Sequence, residues 1–369
     1  MPKSKLHQLS EKGVSVWIDY LSRDNLETGK LKQMMDEDAV VGVTSNPTIF
    51  QKAIAAGHAY DEQMQELLRD ETDAKEIFLH LSARDVEAAC DLLAPVHEQT
   101  GYDGFVSWEV DPTLAYDREG TYAEAQRLHA WIDKPNLYVK IPATKPGLGA
   151  IEDMVAAGKN INVTLIFSLE RHQEVMEAYL RGLERLVAGG GDPSNVHSVA
   201  SFFVSRVDTE TDKRLEAIGS KDALALRGKL AIANAKLAYQ NYKQAFSGPR
   251  WEFLAGKGAN PQRCLWASTS TKNPEYRDVI YVEDLIGPDT VNTMPEETIR
   301  AFQDHGEVAD TLEQGIDDAR ALLDQLAKAG IDYDDVVLTL EQEGVQKFAE
   351  SFEELLDGVR SKRGELAAA

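Results

Sequence analysis

Cysteine is almost absent from this chain: Cys90 and Cys264 are all it has, far apart and in no CxxC pattern. That spacing excludes a disulfide framework and a thiolate zinc site, fits a reducing compartment and leaves both residues as packed thiols. Long apolar runs are missing as well. No stretch is apolar for long enough to span a bilayer, and Met1 to Gly13 is polar without an apolar core. Neither a membrane span nor a secretory leader is expected, and the protein reads as cytoplasmic. Cations are in deficit, 39 Lys+Arg against 62 Asp+Glu, a formal net charge of −23. A field of that sign opposes nonspecific binding to nucleic acid or anionic membranes, so a phosphate-bearing partner has to be met by a local cationic site. A small-molecule substrate fits better than a macromolecule. Finally, there is no repeat with a period of about 20–50 residues, no low-complexity tract and no proline-rich linker. Nothing marks a boundary, so residues 1–369 are expected to form a single domain, with Gly189 to Gly191 a loop and not a hinge.

What the chain does have is a core-sized apolar fraction, 43% hydrophobic against 27% charged, and an alternation of short apolar strands with longer amphipathic segments. That alternation is the signature of a parallel sheet wrapped by helices. The strand candidates are 14–19, 40–46, 104–109, 137–144, 160–167, 196–204, 263–268 and a short one around 290–292. Helices are expected over 122–132, 169–187, 222–246, 308–328 and 340–359, with several more in the acidic stretch 53–96 and a frayed tail over 362–369. Eight strands with intervening helices make an α/β fold, a single (β/α)8 TIM barrel, but roughly 250 residues suffice for one. The surplus is assigned to inserted helices at about 53–96 and a C-terminal helical extension at about 308–360.

One strand carries an anomaly. Leu137-Tyr-Val-Lys-Ile-Pro-Ala-Thr144 reads as fully buried, with Lys140 in its middle. A charge there is costly unless paired or neutral, and a buried lysine with a depressed pKa is a usable nucleophile. The reaction that needs such an amine is Schiff-base formation with a carbonyl substrate, whose protonated imine is an electron sink for breaking a neighbouring C–C bond. Taken alone, the lysine reads more readily as an edge-strand residue that snorkels to solvent. Asp19, Asn46, Glu109, Asn162, Thr164 and Ser201 change the weighing, because they also fall within or at the C-terminal ends of strands, which in a barrel share one face. Each has a structural explanation singly, Asp19 as a helix cap and Asn46-Pro47 as a turn. Together they converge on one lysine.

In combination these motifs resemble transaldolase. The resemblance runs from about Val14 to Met294 and rests on Val43-Thr-Ser-Asn-Pro-Thr48, Glu109-Val-Asp111, Tyr138-Val-Lys-Ile-Pro142, Asn162-Val-Thr-Leu-Ile-Phe-Ser168 and Ser205-Arg-Val-Asp208. The acidic insert and Leu285 to Met294 are similar to the longer actinobacterial members. The resemblance implies that Lys140 forms the Schiff base, that Asp19 is the acid/base at the bond being cleaved, and that Glu109 works through a water with Thr164. It implies Asn46, Asn162 and Ser201 as ligands of the donor hydroxyls, with Thr44 in the same site. The implied reaction moves a dihydroxyacetone unit from sedoheptulose 7-phosphate to glyceraldehyde 3-phosphate, giving erythrose 4-phosphate and fructose 6-phosphate in the pentose phosphate pathway. No metal or organic cofactor is implied, and monomer and homodimer both stay open.

The chain departs from the family at the phosphate. Many transaldolases carry an arginine after the seventh strand in an Ala-Ser-x-Arg-Asn setting, where this chain reads Ala267-Ser-Thr-Ser-Thr-Lys-Asn-Pro274. Arg206 is then the main phosphate ligand, with Ser268 and either Lys272 or its neighbours Thr269, Ser270 and Thr271 completing the site. A Schiff-base aldolase that releases its three-carbon unit, and a catalytically idle barrel scaffold, are the competing readings. The scaffold would have lost the lysine or both carboxylates, and all three are present. Phe167 and Phe203 favour transfer, since an apolar wall positions no hydrolytic water. Phe203 lies two residues from Ser201 and shares its face if the strand alternates regularly.

Overall fold

In the computed structural model of the protein, residues 4–55, 58–69 and 73–368 are described, with side chains to 365. The start of the polar N-terminal stretch, two short parts of the acidic insert and Ala369 lie outside those residues. Eight strands, β1 (Val14–Asp19), β2 (Val40–Thr44), β3 (Val106–Glu109), β4 (Leu137–Pro142), β5 (Ile161–Ile166), β6 (Ser198–Phe203), β7 (Arg263–Ala267) and β8 (Thr290–Met294), hydrogen-bond in chain order. β8 pairs in parallel with β1, so the sheet closes into the expected barrel. Val and Ile on the outward faces pack under the helices and are buried, with only Val41 of β2 partly exposed, as parallel strands covered on both sides require.

Inside the barrel, packing is set by alternation and by close approach. Gly42 on β2 carries no side chain because a Cβ there would lie 2.4 Å from the Trp17 indole of β1. The floor, at the N-terminal end of the strands, is polar but saturated. Asp103 accepts from Ser15 Oγ (2.7 Å), Trp17 Nε1 (3.3 Å) and Arg263 (3.0 Å), and Arg263 also donates to Ser15 Oγ (2.8 Å). Above it Phe105 and Tyr138 stack with ring centroids 4.1 Å apart. Stacked rings and a closed ion pair fill the barrel interior here, and a pocket of about 290 Å³ lined by Tyr102, Tyr138, His197 and Arg263 lies at the same end.

The helical additions differ in detail from the sequence expectation. The acidic stretch folds as Pro47–Ala55, Asp61–Leu67 and the 27-residue helix Ala74–Thr100. They are tied to the short helix Arg23–Glu27 that follows β1 by a buried cluster in which Arg23 pairs with Asp85 and Tyr60 donates to Asp85 (2.8 Å). The helix expected over 222–246 is broken into Lys221–Leu224 and Leu230–Ala245. Gly228 between them takes φ +68°, and the buried carboxylates Asp212 and Asp208 accept from the backbone N–H of Gly228 and Ala231. The helix expected from 308 starts only at Ile316, because Thr311 and Leu312 spend their N–H groups on Ile286 O, and Gly315, with φ +68°, begins the turn of helix. The tail expected to fray is instead the end of the last helix, Tyr333–Ala368, with Lys362 paired to Asp61.

The floor cluster makes a prediction. Asp103→Ala would leave the buried Arg263 charge without its carboxylate and the Trp17 N–H without an acceptor, a loss of about 3–5 kcal/mol. Denaturant unfolding should show that loss while the Michaelis constants of the folded fraction stay at wild-type values.

Candidate active site

The C-terminal end of the barrel strands holds a cavity of about 320 Å³. Of the twelve residues expected in a site, ten line it: Asp19, Thr44, Asn46, Lys140, Thr164, Ser201, Phe203, Arg206, Ser268 and Lys272. Parallel registry explains the convergence. Glu109 is the registry partner of Lys140, Lys140 that of Asn162, and Asp19 that of Thr44, so inward-facing residues of adjacent strands arrive at one level.

Lys140 is 5% exposed; its Nζ donates to Ser45 O (3.2 Å) and lies 3.5 Å from Glu109 Oε2. Glu109 does not line the main cavity. It borders a smaller space with Trp108, Phe78 and Phe352, and burial pushes its carboxyl up to about 7 against the opposing pull of Lys140. Both of its carboxylate oxygens, and the buried Thr164 Oγ1, have no hydrogen-bond partner among the described residues. Asp19 is likewise raised, first by burial, with Lys140, the Thr44 hydrogen bond, Arg206 and Lys272 pulling the other way. Its Oδ1 accepts from Thr44 Oγ1 (2.7 Å), which also meets Thr293 Oγ1 (2.7 Å). Asp19 caps no helix, since Ser22 does that for the helix that follows. Asn46 does act as a cap, accepting from Ile49 N at 3.0 Å, and lines the cavity as well.

Asn162 sits below the cavity wall, fully buried, donating to Ser107 Oγ (3.0 Å) and accepting from Ser201 Oγ (2.7 Å). It holds Ser201 in place. Just beyond Thr164 the alternation of β5 breaks: Leu165 takes φ +60° and the pairing with β6 shifts register. A bulge of that kind re-aims side chains and costs about 1–3 kcal/mol, which here is met by complete burial of the strand. Ser268 is a second non-glycine residue at positive φ (+55°). Its carbonyl accepts from Ser205 N (3.0 Å) and its hydroxyl meets Ser205 Oγ (2.9 Å), fixing where the helix Ser205–Ile218 starts.

That start sets up the cationic side of the cavity. Arg206 is on the first turn of a 14-residue helix whose cap residue, Val204, offers no side-chain acceptor. Its guanidinium lies over the Phe203 ring at 5.1 Å and makes no ion pair or hydrogen bond among the described residues. Burial and the proximity of Arg206 lower the Lys272 pKa, and its ammonium donates to Ser270 Oγ at 2.6 Å. Arg206 and Lys272 thus face one cavity with no ion pair to a carboxylate among the described residues.

The family model described as Transaldolase/Fructose-6-phosphate aldolase matches residues 16–359. The chain belongs to the transaldolase/fructose-6-phosphate aldolase family. It is 53% identical to the transaldolase of Parafrankia sp. (strain EAN1pec) over 98% of this chain and 99% of that one. It is 54% identical to the transaldolase of Thermobifida fusca (strain YX) over 96% and 97%. To transaldolase 1 of Streptomyces coelicolor it is 52% identical over 96% and 93%. The family match reaches well into the last helix, which the motifs read from the sequence did not touch. Sequence reasoning missed the residues that this helix and the insert bring to the cavity, Phe348, Lys52 and Thr48.

Because the Glu109 carboxyl changes protonation near pH 7, the rate of imine formation should bend there. Glu109→Gln should flatten that bend and slow trapping by about 10²–10⁴-fold, the usual worth of a positioned acid/base. Rapid-quench borohydride trapping across pH 5–9 measures both.

Proposed function

We propose that this chain is a transaldolase that carries a dihydroxyacetone unit on Lys140 from sedoheptulose 7-phosphate to glyceraldehyde 3-phosphate, yielding erythrose 4-phosphate and fructose 6-phosphate. The observation that carries the reading is Lys140, buried with Glu109 at 3.5 Å and sharing with Asp19 a cavity whose other side is cationic. The amine attacks C2 of the donor ketose; Glu109, through a water held with Thr164, passes the protons that turn the carbinolamine into an iminium and expel water. Asp19 then takes the proton of the C4 hydroxyl as the C3–C4 bond breaks, the aldehyde leaves, and the electron pair is held as an enamine. The acceptor aldehyde reverses these steps, Asp19 returning its proton to the new hydroxyl. Two carboxyls lifted by burial suit proton traffic near neutrality.

Substrate binding follows from the same geometry. Ser201, fixed by Asn162, and Asn46 face the donor hydroxyls, with Thr44 orienting Asp19. Arg206 takes the phosphate, whose charge also suits the uncapped N–H groups of its helix start, with Ser268 and Lys272 beside it. In this reading the protein works in the cytoplasm on phosphorylated sugars, with no cofactor; no helix among the described residues is long and apolar enough to cross a membrane. The aldolase reading has less in its favour, because Phe203 and Phe167, 5.1 Å apart, put hydrocarbon where a released unit would need a hydroxyl to place its water.

Lys140→Met should fold and lose all turnover in a coupled assay with both phosphorylated substrates, while Arg206→Ala should raise their Michaelis constants about tenfold or more, a loss of one charge-assisted contact. Lys272→Ala should do the same more weakly. Unphosphorylated acceptors should feel neither change. Turnover by Lys140→Met would overturn the reading.

A further inference from the structure

The last helix, Tyr333–Ala368, belongs to no strand–helix unit of the barrel, yet it reaches the reacting lysine. Phe348 on it is 6% exposed, and its ring centroid stands 5.8 Å from Lys140 Nζ. The helix is seated firmly. Thr48 Oγ1 donates to Ser351 Oγ (2.9 Å), Arg214 pairs with Asp335 (2.6 Å), and Tyr333 donates to Asn234 Oδ1 (2.7 Å). At Gly344, one turn before Phe348, an added Cβ would come within 3.1 Å of Leu165 and 3.4 Å of the Phe167 ring. The helix backbone therefore rests directly on the β5 side of the cavity mouth.

Phe348 also lines a second, outer cavity of about 470 Å³ between this helix and the barrel mouth, shared with Arg206, Lys272, Glu343 and Lys347. Its ring is thus common to the wall of the chamber that contains Lys140 and to that of an outer space that adds Glu343 and Lys347 to the shared Arg206 and Lys272. We propose that Phe348 is a positioning residue that closes the Lys140 chamber and keeps water from the bound three-carbon unit, so that it is transferred and not released. The inference rests on the Schiff-base reading above. Release would need a proton added to the enamine carbon, water added across the resulting C=N bond, and the C–N bond broken to give dihydroxyacetone and the free Lys140 amine, one water consumed in all. A phenyl ring supplies neither a hydroxyl to hold that water nor room for it. Its face also favours the iminium cation over the neutral amine. Phe203 on β6 guards the other side, its own face covered by Arg206.

The test is a graded series, Phe348→Leu, Phe348→Val and Phe348→Ala, each assayed with fructose 6-phosphate for free dihydroxyacetone without acceptor and for transfer with erythrose 4-phosphate. As the side chain shrinks, the ratio of release to transfer should climb, by roughly an order of magnitude or more at alanine, a barrier difference of about 1.4 kcal/mol. Borohydride trapping should persist in every folded variant. A helix anchor alone would lower the melting temperature and leave that ratio unmoved; an unchanged ratio in the smallest variant that folds overturns the proposal. Failure of the wild-type protein to trap at all would instead overturn the Schiff-base reading, so the two failures are distinct.

Discussion

The structure turns on holding a buried amine beside two carboxylates, Asp19 on the wall of its own cavity and Glu109 on that of a smaller adjoining space. Lys140 is offset by Glu109 at 3.5 Å and by the Ser45 carbonyl, and Asp19 by Thr44 and the more distant cations. Burial of a single such charge without these partners costs several kcal/mol, so the surroundings must be rigid enough to keep all of them in place. A closed barrel supplies that rigidity. Every strand is hydrogen-bonded on both sides, and the floor is filled by the Arg263–Asp103 cluster and stacked aromatic rings. Beneath the lysine, the Ser107–Asn162–Ser201 chain continues the same principle: polar groups of β3, β5 and β6 satisfy one another across the barrel interior. The exceptions, Glu109 and Thr164, are where proton transfer is assigned.

Charge is distributed to match. The chain is strongly acidic overall, yet the rim of the cavity brings Arg206 and Lys272 together. Their mutual repulsion is tolerated because the ring of Phe203 and the oxygen of Ser270 each cover one of them. In the proposed reading an anionic substrate group would remove that repulsion on binding and so favour phosphorylated sugars in a molecule that otherwise repels them.

Much of this was legible in the sequence. β1 was bounded at Val14 and Asp19, and the other strands were placed within a few residues, because a buried parallel strand is a short β-branched run between turn signals. Once β4 was a strand, Lys140 had to face inward with its registry partners, and ten of twelve expected residues fell on one cavity. What stayed hidden was contact between parts distant in sequence. The pattern over 340–359 announces a helix, not that its Phe348 meets the Lys140 chamber. Nor could local pattern show that Asp208 and Asp212 would interrupt the 222–246 helix, since their hydrogen bonds come from another element. Local signals fix elements; long-range hydrogen bonds trim them.

The central claim is that the substrate carbon becomes bonded to Lys140 and nowhere else. It is tested most directly by reducing the protein with borohydride in the presence of fructose 6-phosphate and mapping the adduct by peptide mass spectrometry. The account predicts one added dihydroxyacetone-derived unit per chain, confined to the peptide containing Tyr138-Val-Lys-Ile-Pro142. An adduct on any other lysine, or no adduct in protein that turns over substrate, would contradict it.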